Sequence, residues 1–445
     1  MTRFDPSGSL RGSLRPPADK SISHRAALIA AMGEGGTTIE GYLDAADTNS
    51  TLAAVGALGA EVSPGWTERT VSVPSDWQGR APASRPPRPG MLVDGVGLRG
   101  ARSAAIDVGN AGTLLRLLPG WLAGQPRGAW TLDGDDSIRR RPVDRIAAPL
   151  RAMGAHLSAH EDRLPPLEVR GVPLRGTTYE MPIASAQVKS CLLFAGLLAE
   201  GETRVVEPAQ SRDHTERMLA AAGADVRRDG NAVVICPAER LEPDWIVVPA
   251  DLSSAAFFIV AALLVGGSEV TVRDVGLNPT RTGLLTILER MGAEIEITPG
   301  GEEGGEPVGD LQVRASNLHA TEVGGAEVPL AIDELPLVAL AACFAEGTTT
   351  IADAAELRRK ESDRIATVSA ALNALGGAVE PTADGMEITG TGGLRGGTID
   401  SHGDHRIAML GAVAGLASRD GVEVRGMDAA AVSYPDFEAD LASLL

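Results

Sequence analysis

Aromatic side chains and cysteines are scarce in this sequence. Phenylalanine, tryptophan and tyrosine together make up 3% of its 445 residues, which leaves few rings on which the bases of single-stranded nucleic acid could stack. The three cysteines, Cys191, Cys236 and Cys343, lie far apart, two in apolar helical segments and one in a strand-like segment. This placement predicts buried thiols rather than a disulfide or a metal site.

Positive charge and long apolar runs are also in short supply. The 40 Lys and Arg residues are outnumbered by 59 Asp and Glu residues, for a formal net charge of −19, and such a field repels nucleic acids and anionic membranes. The longest apolar run, residues 255–265, falls short of the ~18 residues of a membrane span. The first residues lack the apolar core of a signal peptide. We therefore expect a cytoplasmic protein with no nucleic-acid or membrane partner.

Motifs for nucleotides and metals are missing as well. The sequence has no Walker loop, no Rossmann fingerprint, no HExxH motif and no Cys/His cluster. It therefore predicts neither a nucleotide cofactor nor a metal ion.

What the sequence does contain is one pattern repeated six times. Each copy has a polar phrase, about a dozen apolar residues ending at glycine, and a short strand-like segment. The copies open at Lys20, Asn110, Ser185, Asp251, Asp333 and Asp404. In five of the copies a second predicted helix follows, and its apolar residues form a sparser stripe. A period of about 70 to 95 residues repeated in this way indicates two domains of three repeats each.

Each repeat is predicted to form a helix, a strand, a loop, a second helix and a strand. The first helix is apolar on nearly all sides and should be buried, whereas the second has a single apolar face. Three repeats occupy about 230 residues, so the break between domains falls between Trp245 and Ala250. The Pro- and Gly-rich stretch from Gly79 to Gly100 is predicted to be an extended loop inside the first repeat.

Cations occupy the starts of several predicted buried helices. A helix N-terminus carries unpaired N–H groups and about half a positive charge, so a Lys or Arg there is unfavourable unless an anion is near. Yet Lys20 and Arg25 open the first helix, Lys189 the third, and His405 with Arg406 the last. Because this recurs in a strongly acidic protein, we expect several helix ends to converge on small, multiply charged anions.

Further cations and two acids fit such a site. The loops after the strands of three repeats carry Arg139, Arg140, Arg141, Arg212, Lys360 and Arg364. Arginine suits bidentate recognition of phosphate and carboxylate, while lysine serves as a point charge or a proton donor. Asp333 fits an ordinary helix N-cap and Glu361 an ordinary ion pair. Beside bound anions, however, the two would transfer protons, and neighbouring cations would keep a base ionised.

Eight blocks of the sequence carry a family resemblance. They are KSISHR from Lys20, GNAGT from Gly109 with Arg116, Arg141-Pro142, SAQVKS from Ser185, SRDHTE from Ser211, DELP from Asp333, KESDR from Lys360 and DHRIAM from Asp404. In this order they resemble the signature blocks of the 5-enolpyruvylshikimate-3-phosphate synthases. The resemblance implies a transferase that moves the enolpyruvyl group of phosphoenolpyruvate to the 5-hydroxyl of shikimate 3-phosphate and releases phosphate. It also implies a target of the herbicide glyphosate.

The resemblance further implies a fold. It is an α/β protein of two inverse α/β barrel-like domains, each of three βαβαββ repeats, whose buried helices point their N-termini at an interdomain cleft. The N-terminal domain would span residues 15–246, and the C-terminal domain would combine residues 247–445 with residues 1–14. The implied protein is a monomer that uses no cofactor and no metal.

Site residues follow from the resemblance only where a block matches. For shikimate 3-phosphate they are Lys20, Ser21, Arg25, Ser185, Ala186, Gln187, Arg212, Asp333 and Lys360. For phosphoenolpyruvate they are Lys20, Asn110, Gly112, Arg141, Gln187, Arg364, His405 and Arg406. Asp333 and Glu361 would move the protons of an addition and an elimination, with Lys20 assisting at the phosphate.

Some points stay open in the sequence. Arg139 could replace Arg141 as the clamp for phosphoenolpyruvate, because the loop alignment can slip by two positions. Val432 stands where several relatives carry a lysine, so it receives no phosphate-binding role. One alternative function is that of a UDP-N-acetylglucosamine enolpyruvyl transferase, against which Ser21 and the absence of cysteine before Arg141 argue. Another is a catalytically silent anion sensor on the same fold, against which the presence of both acids argues.

Overall fold

The computed structural model describes residues 1–64 and 90–445. Half of the predicted loop from Gly79 to Gly100, residues 79–89, therefore lies outside the described residues. From Gly90 onward the loop prediction is wrong, because Gly90–Val96 is a strand that pairs antiparallel with Glu34–Glu40. Val93 is fully buried in this pair, and the burial of this short apolar run outweighs the turn-forming glycines beside it.

The described residues contain fourteen α-helices. In chain order they are α1 (Lys20–Met32), α2 (Ala46–Ala57), α3 (Gly112–Ala123), α4 (Asp136–Arg139), α5 (Asp144–Ala152), α6 (Ala186–Gly196), α7 (His214–Ala221), α8 (Leu252–Leu264), α9 (Gly283–Arg290), α10 (Val328–Ala331), α11 (Leu335–Ala342), α12 (Arg364–Ala374), α13 (His405–Ala417) and α14 (Phe437–Ala442). Short 3₁₀ helices span Gly325–Glu327, Ala355–Arg359 and Met427–Val432. The six helices α1, α3, α6, α8, α11 and α13 are buried along most of their length. In the described parts of the chain, no helix is long and apolar enough to cross a membrane.

The strands are short and numerous. In chain order they are β1 (Thr2–Phe4), β2 (Arg11–Leu14), β3 (Glu34–Glu40), β4 (Glu61–Pro64), β5 (Gly90–Val96), β6 (Ala104–Asp107), β7 (Ala129–Asp133), β8 (His156–His160), β9 (Leu164–Arg170), β10 (Leu174–Arg175), β11 (Thr178–Glu180), β12 (Ala199–Glu200), β13 (Thr203–Val206), β14 (Val226–Asp229), β15 (Ala232–Ile235), β16 (Trp245–Val247), β17 (Glu269–Gly276), β18 (Glu294–Glu303), β19 (Glu306–Arg314), β20 (Glu322–Val323), β21 (Thr348–Ile351), β22 (Ala378–Pro381), β23 (Met386–Thr389), β24 (Gly397–Asp400) and β25 (Val422–Arg425).

Five four-stranded sheets share one pairing order. Their orders are β16-β3-β5-β4, β6-β7-β9-β8, β11-β13-β15-β14, β2-β17-β19-β18 and β20-β21-β23-β22, beside the smaller sheets β1-β25-β24 and β10-β12. In the second sheet, β6 and β7 are parallel and enclose α3, while β9 is antiparallel to both β7 and β8. Parallel neighbours require such a crossover helix. The unit is the predicted βαβαββ repeat.

The first two strands of the chain pair with strands of the C-terminal half. β2 pairs in parallel with β17, and β1 pairs antiparallel with β25. At the end of the N-terminal half, β16 pairs in parallel with β3 of the same half. The chain passes between the two halves twice, near Pro17 and near Pro249, and these two crossing segments lie side by side. The Asp19 N–H donates to the Pro249 carbonyl and the Asp251 N–H donates to the Pro17 carbonyl, both at 2.8 Å.

Buried apolar side chains form two separate clusters. One contains α1, α3 and α6 and extends from Ala18 to Val248. The other contains α8, α11 and α13 and joins Leu10 and Leu14 to residues 252–444. These two cores give the protein its two-domain α/β fold. The boundaries at residues 15 and 246 stay a prediction.

Candidate active site

Aspartates cap two of the buried helices at their predicted anion-binding ends. Asp19 Oδ1 accepts a hydrogen bond from the backbone N–H of Ile22 at 2.8 Å at the start of α1. Asp404 Oδ1 accepts one from the backbone N–H of Arg406 at 3.0 Å at the start of α13. Each cap satisfies one of the N–H groups that a helix start leaves without a partner. The caps therefore fix where the cationic first turns begin.

The two cations of α1 have different surroundings. The Lys20 ammonium donates to Asp47 Oδ2 at 3.1 Å, and its side chain keeps 23% of its area exposed. Arg25 is almost fully buried. Its Nε donates to Thr215 Oγ1 at 2.7 Å and its Nη2 donates to Ser190 Oγ at 3.0 Å. Lys20 is thus the more accessible of the two.

Ser21, Ser185 and Ala186 lie beside Arg25 or at the start of α6. The Ser21 carbonyl accepts a hydrogen bond from Arg25 Nη1 at 2.9 Å. The Ala186 carbonyl accepts one at 2.6 Å from the hydroxyl of Ser190, which also contacts Arg25. Ser185 Oγ caps α6. The N-termini of α1 and α6 are therefore joined through Arg25 and Ser190.

Helices α3 and α6 meet through Gln187. Its Oε1 accepts a hydrogen bond from Arg116 Nη1 at 2.9 Å, and its Nε2 donates to Thr113 Oγ1 at 3.1 Å.

Gly112 begins α3, and a Cβ atom there would lie only 2.5 Å from Arg141 Nη1. Glycine at this position therefore leaves room for the Arg141 guanidinium.

The structure separates Arg141 from Arg139. Arg139 forms a two-pronged pair with Asp133, with Nη2 2.8 Å from Oδ2, and 54% of its side chain is exposed. Arg141 is only 17% exposed, and its Nη2 lies 3.4 Å from Glu361 Oε1. This geometry favours Arg141 as the cation that faces the other half of the molecule.

Asp333 is surrounded by cations from both halves of the chain. Its Oδ1 lies 3.0 Å from Lys360 Nζ and 3.4 Å from Arg364 Nη1, and its Oδ2 lies 2.5 Å from Arg212 Nη2. Arg406 Nη1 donates to its backbone carbonyl at 2.9 Å. Burial alone would raise the pKa of this carboxyl, but the four cations outweigh it and hold the pKa well below its usual range. Asp333 is therefore ionised at neutral pH.

Glu361 lies between two arginines of opposite halves. Its Oε2 is 2.6 Å from Arg364 Nη2, and its Oε1 is 3.4 Å from Arg141 Nη2. Burial opposes ionisation, but the charges of Arg364 and Arg141 outweigh it and hold the pKa of Glu361 well below its usual range. Arg364 contacts both carboxylates and so sets their spacing.

Asp404 orients Arg364 from the start of α13. Arg364 Nε lies 2.9 Å from Asp404 Oδ2, and both side chains are nearly inaccessible to solvent.

The neighbouring His405 is buried, and burial, followed by the charge of Lys20, lowers its pKa to about 3. His405 is therefore neutral at pH 7 and adds no positive charge to the helix start, contrary to the expectation from sequence.

Asn110 and Lys189 have partners away from this cluster. Asn110 Nδ2 donates to Asp135 Oδ2 at 2.7 Å and to Ser137 Oγ at 2.8 Å. The Lys189 side chain has no exposed area, and its Nζ lies 2.9 Å from Glu207 Oε2. Its Nζ also lies 2.7 Å from Glu216 Oε1. The expectation that helix starts present their cations to bound anions is therefore wrong for Lys189, because the chain itself supplies two carboxylate partners for this buried ammonium.

Asp47 and Glu334 belong to the site but were not predicted. Asp47 pairs with Lys20, and Glu334 Oε1 lies 3.4 Å from Arg406 Nη1 while accepting a hydrogen bond from the Ser253 hydroxyl. Glu334 stands inside the DELP block, which was the available signal. Asp47 has no comparable signal, since an acid in the first turn of a helix is ordinary.

The cysteines differ from one another in burial. Cys191 and Cys343 are buried free thiols, as predicted, whereas Cys236 is only partly buried. It follows the last residue of β15 and contacts Arg227 Nη1 at 3.5 Å, so the prediction of a buried thiol is wrong there. Among the residues that the structure describes, no three His, Cys, Asp or Glu side chains are grouped closely enough to hold a metal ion.

Comparisons with known proteins agree with this arrangement. The family model described as EPSP synthase (3-phosphoshikimate 1-carboxyvinyltransferase) matches residues 4–83 and 92–441. The chain is similar to proteins named 3-phosphoshikimate 1-carboxyvinyltransferase from Synechococcus sp. (strain RCC307) and Geobacillus thermodenitrificans (strain NG80-2). Each is 47% identical over 98% of this chain and 97% of the relative. A solved EPSP synthase structure from Acinetobacter baumannii has a TM-score of 0.84 and 39% identity, over 99% of this chain and 97% of the other.

These matches confirm the family that the motif blocks predicted and favour it over the UDP-sugar transferases. The chain belongs to the EPSP synthase family.

Proposed function

We propose that this protein transfers the enolpyruvyl group of phosphoenolpyruvate to the 5-hydroxyl of shikimate 3-phosphate and releases inorganic phosphate. The observation that carries the proposal is the pair of ionised carboxylates, Asp333 and Glu361, each held between cations of both halves of the chain. Such a site has positive charge for two anionic substrates and two groups that exchange protons.

The substrate-binding residues form one set for each substrate, and Lys20 and Gln187 belong to both sets. Shikimate 3-phosphate is held by the side chains or backbone of Lys20, Ser21, Arg25, Ser185, Ala186, Gln187, Arg212, Asp333 and Lys360. Phosphoenolpyruvate is held by Lys20, Asn110, Gly112, Arg141, Gln187, Arg364, His405 and Arg406. The N-termini of the buried helices add their partial positive charge to both sets.

Asp333 and Glu361 divide the proton transfers of the reaction. The 5-hydroxyl oxygen bonds to C2 of phosphoenolpyruvate while C3 gains a proton, and the intermediate then loses phosphate from C2 and a proton from C3. Asp333, which is ionised, accepts the hydroxyl proton. Glu361 delivers the proton to C3 and later removes one. Lys20 stabilises the leaving phosphate, and the proton that Asp333 accepted leaves with it as hydrogen phosphate.

Substrate binding makes Glu361 a better proton donor. In the structure Arg364 and Arg141 hold its carboxylate ionised. A bound phosphoenolpyruvate would neutralise these arginines, which raises the pKa of the carboxyl and allows it to carry a proton. The same group therefore serves as acid in the addition and as base in the elimination.

The remaining expectations complete the proposal. The protein acts in the cytoplasm as a monomer, with residues 15–246 in one domain and residues 1–14 and 247–445 in the other. Its partners are the two small substrates rather than nucleic acid or a membrane, and it uses no cofactor or metal.

A phosphate-release assay tests this function. Purified protein should release phosphate from phosphoenolpyruvate when shikimate 3-phosphate is present, and should not do so with UDP-N-acetylglucosamine. Release with the UDP sugar would support the sister activity instead. No release with either acceptor would support a silent anion-binding protein. The activity should also survive exhaustive chelation of divalent ions.

A further inference from the structure

A two-pronged ion pair joins the two halves of the molecule outside the predicted site. Arg145 Nη1 lies 2.9 Å from Glu356 Oε1, and Arg145 Nη2 lies 3.0 Å from Glu356 Oε2. Arg145 lies in the first turn of α5, and Glu356 lies in the 3₁₀ helix Ala355–Arg359. The two side chains keep 30% and 37% of their area exposed, so the pair lies at the rim of the contact between halves.

Both partners are close in sequence to side chains of the site. Arg145 follows Arg141 by four residues, and Glu356 precedes Lys360 by four. The segment that carries Lys360 and Glu361 therefore begins at this ion pair. A displacement of Glu356 away from α5 would carry Glu361 away from Arg141.

Two further ion pairs that join the halves are made by groups that the substrates use. Arg212 pairs with Asp333, and Arg141 pairs with Glu361, and all four belong to the proposed binding or catalytic sets. Bound anions would compete for these arginines, so these pairs cannot hold the halves together during the reaction. Arg145 and Glu356 belong to neither substrate set. Contacts such as His214 with Glu306 and Arg281 with Asp19 also join the halves outside both substrate sets.

We propose that Arg145 and Glu356 are positioning residues that hold the cleft closed over phosphoenolpyruvate and thereby keep Glu361 beside that substrate. This inference rests on the proposed function. Two parallel N–H···O bonds between ions make the pair directional as well as attractive. Because the pair is partly exposed, its contribution is modest and acts on how much of the protein is closed.

The predicted effect is on substrate affinity rather than on turnover. A weaker closed state lowers the fraction of protein competent to bind, which raises the apparent dissociation constant by the same factor. Arg145→Gln and Glu356→Gln should each raise KM for phosphoenolpyruvate by about 2- to 6-fold and change kcat less than about twofold. The KM of the double variant should be no higher than that of the single variant with the higher KM, because either change alone already removes the ion pair. Exchanging the charges, as Arg145→Glu with Glu356→Arg, should restore most of the loss.

Arg151 provides a matched control on the same helix. It also forms a two-pronged pair, with Nη1 3.0 Å from Asp162 Oδ2, but its partner belongs to the same half of the chain. Arg151→Gln should leave both KM and kcat unchanged. Unchanged KM in Arg145→Gln and Glu356→Gln would overturn the proposal. So would effects that simply add in the double variant, or an Arg151→Gln effect as large as that of Arg145→Gln.

The inference and the function fail in different ways. If the wild-type protein releases no phosphate, the proposed function is wrong, and small-angle scattering of the unliganded variants then decides on the ion pair. A larger radius of gyration in Arg145→Gln than in Arg151→Gln would support it, because loss of the contact lets the halves separate. Equal radii would overturn it.

Discussion

Asp333 and Glu361 are ionised because arginines and lysines outnumber acids around them. Asp333 contacts Lys360, Arg212 and Arg364 through its carboxylate. A carboxylate in such a setting is a base before substrates bind, and its chemistry depends on charge rather than on size. Replacing the charge while keeping the shape therefore isolates its role.

Asp333→Asn should lower kcat by about two to four decades, which is the usual contribution of a general acid or base. The amide keeps the size of the side chain but cannot accept the hydroxyl proton. Initial-rate measurements of phosphate release check this, with thermal unfolding as the control for folding. A folded variant that retains turnover within tenfold of the wild type would contradict the assigned role.

Gly112 is the second position at which a single side chain decides a property of the site. A methyl group there would meet Arg141 Nη1 at 2.5 Å and would lie 3.5 Å from Arg116 Nη1. The Arg141 guanidinium is the far end of a flexible side chain, so it can move aside, but it then leaves its present position beside Glu361. The change therefore acts on binding and leaves the fold intact.

Gly112→Ala should raise KM for phosphoenolpyruvate and should raise the inhibition constant of glyphosate more, by about tenfold or beyond, because the longer ligand has less room to shift in a packed pocket. Gly56→Ala is the control, since a Cβ at Gly56 meets nothing within 4 Å, and it should change neither constant. Equal changes in both constants for Gly112→Ala, or no change, would show that Gly112 does not border a shared pocket.

The cations of the site could be predicted from the sequence only in part. Lys20 and Lys189 both stand in the first turns of apolar helices, and the local pattern does not distinguish them. Their difference arises from Asp47 and Glu207, which the fold brings to them from other elements. Pairing over such sequence distances is a property of the tertiary structure.

The starts of α1 and α8 share a buried arginine. Arg281 Nη2 lies 2.9 Å from Asp251 Oδ1 and 3.5 Å from Asp19 Oδ2, and these two aspartates cap the two helices. One cation between two buried carboxylates leaves excess negative charge. Burial, followed by repulsion from Asp19, raises the pKa of Asp251 to about 6.

This raised pKa predicts how stability depends on pH. A group whose pKa is higher in the folded protein stabilises it below the unfolded pKa of 3.8 and loses that contribution as the pH rises through about 6. Asp251→Asn keeps the cap and removes the charge. The variant should match the wild type near pH 4 and exceed its free energy of unfolding at pH 7 by roughly 1–3 kcal/mol.

Urea unfolding of both proteins at the two pH values measures this difference. A variant that is less stable than the wild type at pH 7 would show instead that the ion pair with Arg281 outweighs the cost of burying Asp251.

The order of helices and strands was accessible to sequence reasoning because the same pattern recurs. Each apolar helix is buried and each is followed by a strand, as the repeats predicted. The strand Gly90–Val96 was missed because its pairing with β3 depends on a distant partner, whereas the glycines and prolines around it give a strong local turn signal. Arg281 was also missed as the shared partner of Asp19 and Asp251, because this pairing too depends on residues that are distant in sequence.

The two hydrophobic clusters and the charged contacts between them define the molecule as a whole. β2 pairs with β17 of the C-terminal half, and β16 completes the sheet of β3 in the N-terminal half before the chain crosses over. The repeats indicated two domains, but they did not specify which residues meet across the cleft. Arg145 and Glu356 meet over a separation of 211 residues, which no local pattern predicts.

Transfer of the enolpyruvyl group at C2 of phosphoenolpyruvate breaks a particular bond, and an isotope label shows which bond that is. Phosphoenolpyruvate carrying heavy oxygen at the atom between carbon and phosphorus should be incubated with shikimate 3-phosphate and the protein. Addition and elimination at C2 break the carbon–oxygen bond, so we expect heavy oxygen in the released phosphate and an enolpyruvyl group on the acceptor. Heavy oxygen retained in the three-carbon product, or no product at all, would contradict the proposed transfer.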